Sequence, residues 1–80
     1  MNNKKEILKV CKRCLPNVDF ENNNRLIESG LIDSLSFMKL VSELSFNFNI
    51  FFDAMDLTPD NFQSIDAIVK IVERLRGETR

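Results

Sequence analysis

Apolar residues recur at three- and four-residue spacing in three stretches of this chain, and the segments between them have no period. Ile7, Leu8, Cys11, Cys14 and Leu15 share one face of a helix predicted over Asn3 to Leu15. Asn2 or Asn3 can cap its start, and Pro16 stops it. A second helix is predicted from Ser34 to Phe48, ~22 Å long at 1.5 Å per residue. Asp33 is its N-cap, and Phe37, Leu40, Val41, Leu44 and Phe48 form its inward stripe. The last helix runs from a Ser64 cap to about Arg76 and ends at Gly77, with Ile65, Ile68, Val69, Val72 and Leu75 facing inward. A short helical turn is expected near Asp56 to Phe62, where Thr58-Pro59 reads as N-cap and first helical position. In Asn49-Ile50-Phe51-Phe52-Asp53, Ile50 and Phe52 are expected to point inward, leaving Phe51 exposed. No alternating run calls for a strand.

Residues 16–33 form a long connection. Asn22-Asn23-Asn24 marks its irregular part, while Val18, Phe20, Leu26, Ile27 and Leu31 are expected to pin it to the core. A loop this long in a small domain usually has a function. Gly30 suits a tight bend. The expected fold is all-α: a small four-helix bundle of three longer helices and one short one, with a long first loop, in a single domain over residues 1–80.

The second helix carries another stripe. Leu35, Met38, Ser42 and Phe46 fall largely opposite its core face, so apolar side chains are left outside the bundle. Charge is uneven along the chain. Residues 1–15 carry five Lys or Arg and one Glu, residues 16–66 carry two basic and nine acidic residues, and residues 67–80 carry four basic and two acidic, for a net charge of −1. The acidic middle disfavours a nucleic-acid surface. The basic start can meet phosphate or be the solvated face of a helix, and the second reading is preferred. No apolar run approaches the ~20 residues of a membrane span. The polar start Met1 to Glu6 is not followed by the apolar core of a signal peptide, so a cytoplasmic monomer is expected.

Candidate chemistry is sparse. The chain has no histidine and no tyrosine, so the common acid–base side chains are missing and a nucleophilic serine would lack a base. No catalytic residue is expected. Cys11 and Cys14 form C-x-x-C, a spacing found in redox and metal sites. Zinc needs about four ligands, and the chain offers no others of that kind. A redox pair would want a helix start, whereas these thiols lie near a helix end, where the dipole opposes a thiolate. They read as small, partly buried apolar residues, and no metal site is expected.

The most informative stretch is Asp33-Ser34-Leu35, introduced by Leu31 and Ile32. It sets a serine hydroxyl where a loop becomes a helix, and the unpaired N–H groups and positive dipole end of a helix start favour a phosphate bonded there. Asp-Ser before a helix is also ordinary capping chemistry. The context adds to it: Leu26-Ile27-Glu28-Ser29-Gly30-Leu31-Ile32-Asp33-Ser34-Leu35, then Leu40 and Leu44, Phe48-Asn49-Ile50, Asp56-Leu57-Thr58-Pro59-Asp60-Asn61-Phe62 and Ser64-Ile65. This resembles phosphopantetheine-dependent carrier proteins over about residues 25–75. The family includes acyl, peptidyl and D-alanyl carriers, and Glu28 to Ser34 looks closest to stand-alone peptidyl and D-alanyl carriers. The resemblance implies an acyl-carrier-protein-like bundle with 4′-phosphopantetheine, taken from coenzyme A, attached to Ser34, and with Asp33 and Leu35 as flanking residues of the attachment site. It implies as partners a phosphopantetheinyl transferase, an acyl- or aminoacyl-loading ligase and a downstream transferase or synthase.

The chain departs from the pattern in one respect. Many family members carry several acids on the second helix, whereas here there is little beyond Glu43, and Lys39 adds a positive charge. Leu35, Met38, Lys39, Ser42 and Phe46 are therefore the expected partner surface, more apolar than acidic. Scattered exposed hydrophobes are the plainer alternative. A dedicated carrier in a specialised pathway is the preferred reading, with a fatty-acid or polyketide carrier second. A carrier-like helical interaction module that is never modified is a further alternative. A small regulatory or nucleic-acid-binding domain is the least favoured.

Overall fold

The computed structural model describes residues 3–77, so the suggested cap Asn2 lies outside the described residues. Three α-helices form in this span: α1 (Asn3–Cys14), α2 (Ser34–Phe48) and α3 (Ile65–Leu75). No strand occurs among the described residues. The expected fourth helix is reduced to one turn of 3-10 helix over Pro59–Phe62. Its short length has a local cause. The segment is held just upstream, where the Asn61 side-chain amide donates to the Asp56 carbonyl at 2.9 Å, and α3 begins three residues after Phe62. Thr58 stands at the N-cap position, but its hydroxyl makes no capping bond there.

The α-helices begin and end much as the local chemistry dictates. The Asp33 carboxylate accepts from Ser36 N–H at 2.8 Å, and Ser64 Oγ accepts from Ala67 N–H at 3.1 Å. Asn49 closes α2 in the left-handed conformation (φ 54°), which asparagine tolerates better than most residues. Gly77, at φ 79°, follows α3.

Helix α1 packs against both α2 and α3, and α3 packs against the 3-10 helix. The core takes Ile7, Val10, Cys11 and Cys14 from α1, Leu40, Val41 and Leu44 from α2, and Ile65, Ile68, Ile71 and Val72 from α3. Val10 and Ile71 lie inside the core beyond the predicted stripes. Leu8, Phe37, Phe48, Val69 and Leu75, all assigned inward, are only partly buried and pack on its margin.

The loops contribute much of the remainder. Leu15, Phe20, Leu26, Ile32, Ile50 and Phe62 are buried, although none belongs to an α-helix. Leu31, expected in the core, is 43% exposed, whereas its neighbour Ile32 is 2% exposed. Ile32 N–H returns to the Leu26 carbonyl at 3.0 Å, which closes a turn and places Ile32 rather than Leu31 inside. Phe62 meets Phe37 edge-on at 4.9 Å between ring centroids and Phe52 at 5.8 Å, and so joins α2, the loop after it and the 3-10 helix. Phe51 is exposed while Ile50 is buried and Phe52 partly so, as the sequence predicts.

One polar contact ties the loop after α2 to α3. Asp56 is buried, accepts from Asp53 N–H at 3.0 Å and pairs with the Arg74 guanidinium at 3.0 Å. The Asp53 N–H, helped by Arg74, holds this carboxyl below the usual range, against burial that pushes the other way. The native state therefore binds fewer protons than the unfolded chain in the acid range. The resulting stabilisation is complete above the unfolded carboxylate value, about pH 4, and is lost as pH falls through the native one. Because Arg74 is half exposed, Asp56→Asn should cost only about 1 kcal/mol at pH 7. The gap from wild type should narrow by pH 3. Urea unfolding at both pH values checks this, and a gap independent of pH would refute it.

Candidate functional site

Ser34 is the first residue of α2, and its side chain is exposed. Its placement is built from both sides. Upstream, residues 26–30 form a helical turn in which Ser29 N–H donates to the Arg25 carbonyl at 2.8 Å and Gly30 N–H to the Ile27 carbonyl at 3.1 Å. Gly30 then reverses the chain at φ +84°. A Cβ there would meet nothing within 4 Å, so the glycine answers to backbone conformation rather than to space. Ile32 inserts into the core, Asp33 adopts an extended conformation (φ −85°, ψ −177°), and α2 begins.

Downstream, Asp33 accepts from Ser36 N–H with its side chain and from Phe37 N–H with its carbonyl, both at 2.8 Å. The bonds to Ser36 hold the Asp33 carboxyl below its ordinary range, so it is ionised at neutral pH. By helix geometry the N–H groups of Ser34 and Leu35 have no intrahelical acceptor. The serine oxygen thus stands at the positive end of a capped four-turn helix, next to N–H groups directed outward.

An open, largely apolar cleft of about 380 Å³ lies against this helix start. Ile27, Ile32, Phe37, Leu57 and Pro59 give it an apolar lining, and Asp33 and Ser34 line it as well. Leu57 and Pro59 belong to the segment around the 3-10 helix. Sequence patterning assigned them no part in the site.

The outward stripe of α2 is present. Leu35 is 83% exposed, Met38 53% and Phe46 85%, and Lys39 and Ser42 are also exposed. Phe51 and Met55, in the loop after α2, are exposed as well. Phe46 and Phe51 border a second shallow groove with Val41, Ser42, Ser45 and Phe52. Glu43 is turned away from the stripe: its carboxylate lies 3.9 Å from the Arg13 guanidinium of α1, and Asn47 donates to it. Structure and sequence agree that α2 offers little acidic surface.

Gln63 carries no sequence signal at all, yet it holds the turn that leads to Ser34. Its backbone carbonyl accepts from Leu26 N–H at 3.0 Å, and its side chain accepts from Ile27 N–H at 3.0 Å and from Glu28 N–H at 3.3 Å.

Cys11 and Cys14 are both buried, and neither is in a disulfide. Burial, with the neighbouring Cys14 adding to it, pushes the Cys11 thiol up to about 12. Burial, with Glu43 nearby, also raises Cys14, partly offset by Lys39 and Arg13. Among the described residues no cluster of three or more His, Cys, Asp or Glu could hold a metal ion, and no helix is long and apolar enough to cross a membrane.

No protein-family model matches the chain, and neither curated proteins nor solved structures give a match.

The thiol environment has a direct consequence. A 1 mM thiol reagent at pH 8 should leave both cysteines unmodified in the folded protein over about an hour and alkylate both in urea. Intact-mass measurement of each sample checks this. Rapid labelling of the folded chain would mean that the α1 end opens far more often than its packing implies.

Proposed function

We propose that this protein is a carrier: Ser34 accepts 4′-phosphopantetheine, and the chain then ferries an acyl or aminoacyl group between partner enzymes without transforming it. The observation that carries the reading is an exposed Ser34 as the first residue of α2, beside the capping Asp33 and lining an apolar cleft. The element order also supports it, with the 3-10 turn at Pro59–Phe62 standing where the family's bundle has its short helix.

The residues present suit the group. Attachment makes Ser34 Oγ the nucleophile toward the pyrophosphate of coenzyme A. The new bond joins this oxygen to the pantetheine-side phosphorus, adenosine 3′,5′-bisphosphate leaves, and the hydroxyl proton passes to a base on the transferase. The product is a phosphodiester monoanion, which the outward N–H groups and positive end of α2 stabilise by roughly 0.3–1 kcal/mol. When bound, the group supplies a terminal thiol for a thioester. Asp33 keeps the helix start in register, and Leu35 gives the transferase an apolar flank to grip. Tethering raises the effective concentration of cargo at each partner. Because the modification consumes coenzyme A, we infer a cytoplasmic location.

Leu35, Met38, Lys39, Ser42 and Phe46 form the partner face of this carrier. Docking there rests on apolar contact, because Glu43 is engaged with α1. An interaction module that is never modified would share this face but would have no use for the serine. The peptidyl or D-alanyl type of carrier fits the weakly acidic α2 better than a fatty-acid carrier does.

Incubation with coenzyme A, magnesium and a permissive phosphopantetheinyl transferase should add one phosphopantetheine to the wild type and none to Ser34→Ala, as read by intact mass. Ser34→Ala should unfold within about 0.5 kcal/mol of wild type, since an exposed first-turn side chain holds no tertiary contact. Lack of any mass gain on the wild type would end the carrier reading in favour of an unmodified module. Met38→Glu should slow loading by the cognate ligase about fivefold or more, as expected for a charge placed in an apolar contact, with the circular dichroism spectrum unchanged. Unchanged loading kinetics would remove α2 from the partner face.

A further inference from the structure

We propose that Gln63 is a positioning residue for Ser34, acting as a remote cap on the turn that delivers the serine; this rests on the carrier reading. The turn at residues 26–30 has the problem of every helical start: its first N–H groups have no acceptor within the turn. Three of them, on Leu26, Ile27 and Glu28, converge on Gln63 from 35 to 37 positions away in the chain. Two N–H donors meet at one side-chain atom, so that atom is the amide oxygen and not the nitrogen.

The tie continues to the serine through covalent and hydrogen-bonded steps. Leu26, fixed by the Gln63 carbonyl, offers its own carbonyl to Ile32 N–H at 3.0 Å. Ile32 is buried and stands two residues before Ser34. On the other side, Gln63 follows Phe62 of the 3-10 helix and precedes Ser64, the cap of α3. It therefore fastens the approach to Ser34 onto the junction of the 3-10 helix and α3, and Pro59 at the start of that 3-10 helix lines the cleft. Ile27, one of the residues bonded to the Gln63 side chain, also lines the cleft. Gln63 thus reaches the approach to the serine by two routes: its carbonyl through Leu26 and Ile32, and its side-chain oxygen through Ile27, whose own carbonyl accepts from Gly30 N–H at 3.1 Å.

A glutamate keeps the accepting oxygens, whereas a leucine of similar length removes them. Gln63→Leu should lower kcat/KM for pantetheinylation by a transferase, coenzyme A and magnesium about five- to tenfold, the scale of one or two lost hydrogen bonds. Gln63→Glu should restore the wild-type rate. Val69→Ala, which thins the partly buried margin of the core on α3 without removing a bond to Gln63, should lower the melting temperature yet leave the rate unchanged, separating positioning from stability. Amide hydrogen exchange gives a readout independent of modification: Ile27 and Glu28 should exchange about five- to tenfold faster in Gln63→Leu, with the Ser34 amide resonance shifted.

The proposal is overturned if Gln63→Leu labels at the wild-type rate, if Gln63→Glu labels as slowly as Gln63→Leu, or if Val69→Ala slows labelling equally. Failure of the wild type to accept the group would defeat the carrier reading alone. The exchange of Ile27 and Glu28 and the Ser34 resonance would then decide the positioning role, and no change in either would defeat that too.

Discussion

Burial of loop side chains is the constraint on which this small domain depends. Three α-helices of 12, 15 and 11 residues supply only part of the core, in a domain whose small size leaves a modest stability margin. The deficit is met by Phe20, Leu26, Ile32, Ile50 and Phe62, all buried and all outside the α-helices. Phe62 is the clearest case, because it joins α2 and the following loop through two ring contacts. Loops held in this way are walls, and their backbone groups then need fixed partners. The Asp56 carboxylate, which accepts from Asp53 N–H, and the three bonds to Gln63 provide them.

That arrangement explains how a residue can be exposed and yet accurately placed. Ser34 contributes nothing to the core, so nothing hides its hydroxyl. Its neighbours are anchored on both sides, by Ile32 inside the core and by Asp33 bonded to Ser36 and Phe37. The same logic divides α2 lengthwise. Leu40, Val41 and Leu44 are committed to the bundle, and Glu43 is drawn toward Arg13 of α1. Leu35, Met38 and Phe46 are left outward at a cost in hydration that the fold itself does not require. Under the carrier reading, that surface is where partners recover the cost.

The helices were readable because periodicity and capping are local. Asp33, Ser64, Pro16 and Gly77 each act within a turn of themselves, and the predicted ends fall within a residue of those observed. The inward stripes were drawn too narrow, which is why Val10 and Ile71, each three residues after a core isoleucine, were missed. The irregular segments were less legible because they have no period to read. Leu31 and Ile32 are both apolar, and only the return of Ile32 N–H to Leu26 decides which one enters the core. The fourth helix is a single 3-10 turn, with Asn61 bonded back to the Asp56 carbonyl and α3 starting three residues after Phe62. The position of Ser34 at the start of α2 was legible from its flanks. Leu57, Pro59 and Gln63 were not, since their roles exist only once residues more than 20 positions apart are brought together.

The two cysteines belong to the same picture. A protein that carries a thioester must not offer it a competing thiolate, because exchange would move the cargo onto the protein itself. A thiol raised to about 12, as Cys11 is, ionises at pH 7 to roughly one part in 10⁵. It also lies wholly inside the bundle, and Cys14 is buried one turn further along α1. On the carrier reading, the C-x-x-C spacing that suggests redox chemistry in sequence is made chemically silent by the fold, so that packing requirements, rather than reactivity, account for both residues. The exposed hydroxyl at the start of α2 and the two hidden thiols at the end of α1 then differ first in burial. On the carrier reading, the start of α2 would stabilise the anion that attachment creates, while burial, the largest influence on both thiols, suppresses the anion that would compete with it.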